Sequence, residues 1–133
     1  IANYEERKAY IELEEPTEQK EISTVSISDE DQKWLENLEK LILERINDHN
    51  FSNDYLAELL FISRKNLYRN IKKMTGLTPN KYIRVIRLQQ AKRLLEQGHS
   101  IKDTAYKVGF QKTTYFSNLF KKEFGKLPSE YII

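Results

Sequence analysis

Two short stretches of the chain carry side chains suited to gripping a charged partner. Residues 63–73 read SRKNLYRNIKK and residues 112–122 read KTTYFSNLFKK. Leu67 and Ile71 in the first, and Phe116 and Phe120 in the second, recur four apart, which puts each pair on one face of a helix. The other face holds Arg64, Lys65, Tyr68, Arg69, Lys72 and Lys73 in the first stretch. In the second it holds Lys112, Thr113, Thr114, Ser117, Asn118, Lys121 and Lys122. Guanidinium, ammonium, hydroxyl and amide groups donate hydrogen bonds to phosphate oxygens and base edges, and a helix has the width of a major groove. The chemistry implied is recognition of double-stranded DNA.

Charge points the same way. Residues 1–50 contain 6 basic and 14 acidic side chains, a balance of −8, whereas residues 51–133 contain 16 basic and 6 acidic, a balance of +10. A segment of that sign suits a polyanion, although a solvated helical surface gives a similar count.

Other chemistry finds no support. The 133 residues include no cysteine, which excludes disulfides, thiolate zinc sites and cysteine nucleophiles and suits a cytoplasmic location. The two histidines, His49 and His99, fall at helix ends, where a dipole or solvent role outweighs metal binding. Carboxylates are plentiful early in the chain but show no pairing in a pocket, and four glycines are too few for a phosphate-cradling loop. No catalytic residue, metal or cofactor is expected. No apolar run approaches the length of a membrane span or a secretory signal, so no membrane contact is expected either. The first residue is Ile, which reads as a piece of a longer chain.

The elements that must position the two stretches are helices. Residues 1–28 read as an arm or linker from an upstream domain, with a short helix before Pro16. From Ser28 the spacing predicts a helix to about His49, with Trp34 as core filler. Ser52 and Ser63 cap the next two helices, and Gly76 ends the second of them. Thr78 and Pro79 open a long helix to about Gln97, stopped by Gly98. Ser100 with Asp103 starts a fifth, Lys112 to Phe124 forms a sixth closed by Gly125, and Pro128 opens a short seventh. The expectation is an all-α, seven-helix domain over 29–133. Subdomain one covers about 29–77, a shared helix about 78–97, and subdomain two about 98–133.

The two units repeat. At an offset of 49, Leu67, Ile71, Lys72, Lys73, Gly76, Pro79 and Tyr82 match Phe116, Phe120, Lys121, Lys122, Gly125, Pro128 and Tyr131. Upstream the offset is 48, pairing Ala57 with Ala105 and Leu60 with Val108, so the second copy has one residue added in its turn. Each unit reads as helix, tight turn, helix. On a helical wheel the long helix shows Tyr82, Ile83, Ile86 and Leu94 on one side and Val85, Leu88, Ala91 and Leu95 on the other, with Arg84, Arg87, Lys92 and Arg93 at the seams. Two stripes predict a helix packed from both sides. About 20 residues span roughly 30 Å, close to the roughly 34 Å between successive major-groove segments on one face of DNA.

With Leu56-Ala57, the run 63–84, A-Y-K-V-G-F at 105–110 and Y-F-S-N-L-F-K-K-E-F-G-K-L-P-S-E-Y at 115–131, the chain resembles the AraC/XylS type of bacterial transcription regulators over about residues 32–132. The resemblance implies two helix-turn-helix subdomains joined by a long helix. It implies base readout at Lys65, Tyr68, Arg69, Thr113, Thr114, Ser117 and Asn118; the outward faces add Arg64 and Lys112 to the expected readers and place Ser63, Lys72, Lys73, Lys121 and Lys122 at phosphates. Within the family the chain resembles the output domain of hybrid two-component regulators. That implies sensory or receiver domains upstream and RNA polymerase as a further partner.

Three positions depart from the family pattern. Phe61 stands where many members have Gly, which predicts a reshaped first turn, since a left-handed non-glycine residue costs about 1–2 kcal/mol. Asn118 stands where Arg is common, which argues against guanine readout there, and Leu127 replaces the usual Thr or Ser cap before Pro128; the second unit is expected to bind more weakly or to tolerate more sequences. The rival reading is a helix-turn-helix module that binds a protein within a larger signalling chain.

Overall fold

The computed structural model describes residues 28–132; all of the arm read into residues 1–28 except Ser28, which caps the first helix, lies outside the described residues. Six α-helices follow one another with no strand among the described residues: α1 (Asp29–Glu44), α2 (Asn53–Leu59), α3 (Arg64–Thr75), α4 (Pro79–Glu96), α5 (Ile101–Lys107) and α6 (Thr113–Phe124). The expected seventh element is a single 3-10 turn, Pro128–Tyr131.

Local chemistry sets most boundaries. The hydroxyls of Ser28, Ser52, Ser63, Thr78 and Ser100 each accept from the backbone N–H three residues on, satisfying a donor that the first turn of a helix leaves open. Gly76 and Gly125 end α3 and α6 in the left-handed region at φ 78° and 75°, which costs glycine nothing. Leu127 supplies no side-chain cap to the last turn, as its identity predicts.

One boundary differs. α1 stops at Glu44, short of the expected His49, and residues 45–47 continue as turns. The carbonyls of Ile46 and Asp48 accept from the Arg87 guanidinium on α4, so a partner 39 to 41 residues away holds this segment as a loop where the helix was expected to continue.

Two cores form. The first gathers Leu35, Leu38 and Ile42 of α1, Leu56 and Ala57 of α2, Leu67 and Ile71 of α3, then Leu77 and Tyr82, Ile83, Val85 and Ile86 of α4, with Trp34 half-buried against it. The second gathers Leu88, Ala91 and Leu95 of α4 with Ala105, Val108, Phe116 and Phe120. Its centre is aromatic: Phe120 lies 5.7 Å from Phe116, 4.6 Å from Phe124 and 5.3 Å from Tyr131, centroid to centroid.

This corrects the two-stripe expectation for α4. Val85 joins the first core and Leu94 packs against the second, so the helix is shared along its length rather than between two opposite faces. Its 18 residues run about 27 Å, long enough to seat one small helical unit against each half.

The first turn keeps its shape despite Phe61. Phe61 sits at φ 57°. Its N–H donates to Glu58 O and the Ile62 N–H donates to Ala57 O, the same pattern that Gly109 and Phe110 make with Tyr106 and Ala105. The repeat is thus kept at the hydrogen-bond level, and the strained conformation is the cost of keeping it. The Phe61 ring is 95% exposed and loses little on removal. Phe61→Gly is therefore expected to stabilise the chain by about 0.5–1 kcal/mol in urea unfolding, the relief of strain outweighing glycine's unfolded-state entropy. A loss of stability would contradict this account.

Candidate nucleic-acid interface

Each recognition stretch is the second helix of a unit, held by its buried face. Leu67 and Ile71 anchor α3, and Phe116 and Phe120 anchor α6, all with no exposed surface. The opposite faces are open. Ser63, Arg64, Lys65, Tyr68, Arg69, Lys72 and Lys73 are exposed in the first unit, and Lys112, Thr113, Thr114, Asn118, Lys121 and Lys122 in the second. Ser117 is half-buried. The structure therefore brings the residues into two sets, one on each unit.

The two faces differ in charge and in their first turns. α3 carries five basic residues and no acidic one, whereas α6 carries Lys121, Lys122 and Glu123. Lys72, Lys73, Lys121 and Lys122 occupy the last turns of their helices, where a positive charge complements the dipole. Lys72 Nζ donates to Gly76 O at 3.0 Å, so this ammonium closes its own helix end. The Ser63 hydroxyl caps α3, but Lys112, its counterpart, makes no side-chain cap. A lysine side chain has no acceptor to offer, so α6 starts without a capping group.

Arg64 Nε lies 3.5 Å from Asp54 Oδ1, both side chains being largely exposed; such a pair holds weakly and yields readily to a stronger anion. Arg64 and Tyr68 also line an open recess of about 290 Å³ with Asn53, Leu67, Thr78, Pro79 and Asn80. Its far wall is fixed by Asn53 Nδ2 donating to Asn80 Oδ1 at 2.8 Å. The recess lies where the N-terminal ends of α2, α3 and α4 meet, and it extends the α3 face. Tyr115, in the first turn of α6, is half-exposed with its ring edge-on to Phe110.

Sequence patterning missed the residues that join the two units. Arg87, read as a seam residue, is 8% exposed, and it donates to Val108 O at 2.6 Å and Asp48 O at 3.2 Å as well as to Ile46 O. Burial holds its guanidinium below the ordinary value while the Asp48 charge opposes that shift. Gly109, at φ 92°, has no room for a methyl, which would meet both the Arg87 guanidinium and Ile46 O. Lys81 Nζ, in the first turn of α4, pairs with Glu123 Oε1 in the last turn of α6 at 3.0 Å, and burial raises the Glu123 carboxyl above its usual range. An arginine flanked by Val85, Ile86 and Leu88 was the available sign that position 87 faces inward.

Among the described residues no helix is long and apolar enough to cross a membrane, and no group of three or more acidic or histidine side chains could hold a metal ion.

This arrangement has known counterparts. A family described as a helix-turn-helix domain matches residues 56–132. The chain is 38% identical over 95 residues to the HTH-type transcriptional activator RhaS of Escherichia coli, covering 68% of this chain and 34% of that protein. It is 36% identical over 110 residues to Histidine kinase P4 of Formosa agariphila, covering 82% of this chain and 8% of that protein. The chain thus spans a minor part of each relative's length.

Solved structures agree on the fold. An AraC-type transcriptional regulator from Chromobacterium violaceum superposes with a TM-score of 0.71 at 30% identity, covering 78% of this chain and 93% of that one. The DNA-binding domain of AdpA, solved in complex with a target DNA, gives 0.66 at 28% identity, covering 73% and 87%. The C-terminal domain of the two-component response regulator yesN from Fusobacterium nucleatum gives 0.66 at 30%, covering 74% and 97%. The matched parts of the Chromobacterium violaceum regulator and of AdpA are DNA-binding domains of transcription regulators rather than enzymes. The chain belongs to the AraC/XylS-type family of transcription regulators, and its described residues form that family's DNA-binding domain.

Proposed function

We propose that α3 and α6 enter adjacent major-groove segments of one DNA duplex, with α3 supplying most of the affinity. The observation that carries this is the pairing of two units with the same turn geometry, each presenting an exposed donor face at one half of the shared helix. Base readout falls to Arg64, Lys65, Tyr68 and Arg69 on α3, and to Lys112, Thr113, Thr114, Ser117 and Asn118 at α6. Ser63, Lys73, Lys121 and Lys122 face phosphates, and Lys72 contributes potential while closing its helix. The +5 charge of α3, against the mixed charge of α6, supports the unequal division. The relatives' names, a histidine kinase and a response regulator among them, support upstream receiver or sensory domains in the longer chain. RNA polymerase is the partner through which such a domain would act on transcription.

The test is a salt series on a duplex selected from a random library. Affinity should fall steeply with salt as phosphate counterions are released. Lys121→Ala and Lys122→Ala should weaken all duplexes by a similar factor and lower the salt slope by about 1 each. A changed base preference would overturn their assignment. Salt-insensitive capture of a protein, with no duplex bound, would overturn the DNA reading in favour of a protein-interaction module.

A further inference from the structure

Arg87 touches both units at once. Ile46 and Asp48, whose carbonyls it holds, belong to the loop after α1 in the first unit, whereas Val108 closes α5 and opens the turn into α6. We infer that Arg87, seated against Gly109, fixes the distance and rotation between α3 and α6, and so determines which spacing of two half-sites the chain accepts on DNA. This role rests on the proposed engagement of both helices.

Three observations carry it. The guanidinium is a planar fork with several donors, so one side chain can hold carbonyls from two separate loops, which an ammonium on a flexible stem does poorly. The Ile46 side chain packs against both cores, so the first unit's loop already lies across the boundary. The turn at Gly109 approaches Ile46 O so closely that no methyl fits, whereas the equivalent residue of the first unit, Phe61, projects into solvent. The close approach is therefore a property of the boundary and not a requirement of the turn.

A rigid pair of readers cannot follow a changed spacing. Inserting one base pair moves the second half-site by about 3.4 Å and turns it by about 34°. If the joint were loose, the second unit would still reach its half-site, at a lower effective concentration but with greater tolerance.

The experiment uses the whole 133-residue chain, the best duplex from random-library selection, and versions with one or two base pairs inserted or removed between the half-sites. Wild type should lose about tenfold or more per single insertion, whereas Arg87→Met should vary by less than about threefold across the spacings. Binding to a duplex with only the α3 half-site should be unchanged in the variant. A variant as selective for spacing as wild type overturns the role of Arg87. A wild type indifferent to spacing overturns the fixed joint if removing the α6 half-site still weakens binding, and overturns the double engagement itself if removing that half-site costs nothing, so the two failures are distinct.

Arg87→Lys, which keeps the charge but not the fork, replaces Arg87→Met if that variant fails to fold. The chain has no cysteine, so spin labels at Glu58→Cys and Lys102→Cys report the distance between units directly. A single narrow distance should broaden in Arg87→Lys; a distribution as narrow as in the otherwise unchanged chain overturns the proposal.

Discussion

Gly109→Ala should cost about 2–4 kcal/mol of folding stability, from left-handed strain together with overpacking against fixed neighbours. Gly109 lies at φ 92°, and the added methyl would meet the Arg87 guanidinium and Ile46 O. The guanidinium cannot simply swing away, because it is buried and already holds three carbonyls. Moving it would leave those acceptors without a donor, each loss costing about 1–3 kcal/mol. The backbone oxygen of Ile46 can move only with its loop. Gly76 and Gly125 provide the control: each is left-handed, but nothing lies within 4 Å of the position a methyl would take. Gly76→Ala and Gly125→Ala should therefore cost only the conformational strain, about 1–2 kcal/mol. Urea unfolding of the three variants measures the difference. A Gly109→Ala no worse than the other two would mean that the boundary between the units yields freely.

Arg69→Ala should lose about 1–3 kcal/mol on the preferred duplex and relax discrimination at one or two adjacent base pairs. Arg69 lies on the exposed face of α3, two residues beyond the buried Leu67, and among the described residues no ion pair engages it. Arg64 differs, because Asp54 already stands beside it. A free guanidinium can pair in two places with the O6 and N7 of a guanine, which a lysine cannot do. Asn118 holds the matching place on α6, where an amide suits adenine. Single-base variants of the selected duplex, titrated against wild type and Arg69→Ala, separate readout from anchoring. An equal loss on every duplex would mean that Arg69 contacts only the backbone phosphates.

Much of the interface was legible in the sequence because it is built from local periodicity. Leu67 and Ile71 face inward, and Arg64, Lys65, Tyr68 and Arg69 are consequently outward, whatever packs below. Ser117 shows the limit of that logic. It shares the outward face of α6 by spacing, yet it is half-buried, because what covers a residue at the edge of a face depends on neighbours from other elements. Lys72 shows another: its place in the last turn was readable, but the choice of Gly76 O as its partner depends on where the chain turns next.

By itself the sequence determined the helices and their repetition. Hydroxyl caps, the glycines at 76 and 125, Pro79 and the recurrent apolar spacing act over three or four residues, and no distant contact can easily override so many agreeing local preferences. Only the tertiary structure decided where α1 stops, how α4 is divided between the cores, and that Arg87 lies inside. Those outcomes rest on contacts between residues 21 to 41 positions apart. Such pairs leave no period in the sequence, since their meeting depends on how two units dock along one helix. The left-handed Phe61 belongs to the same class: hydrogen bonds of the turn outweigh a local preference that, read alone, pointed to a different shape.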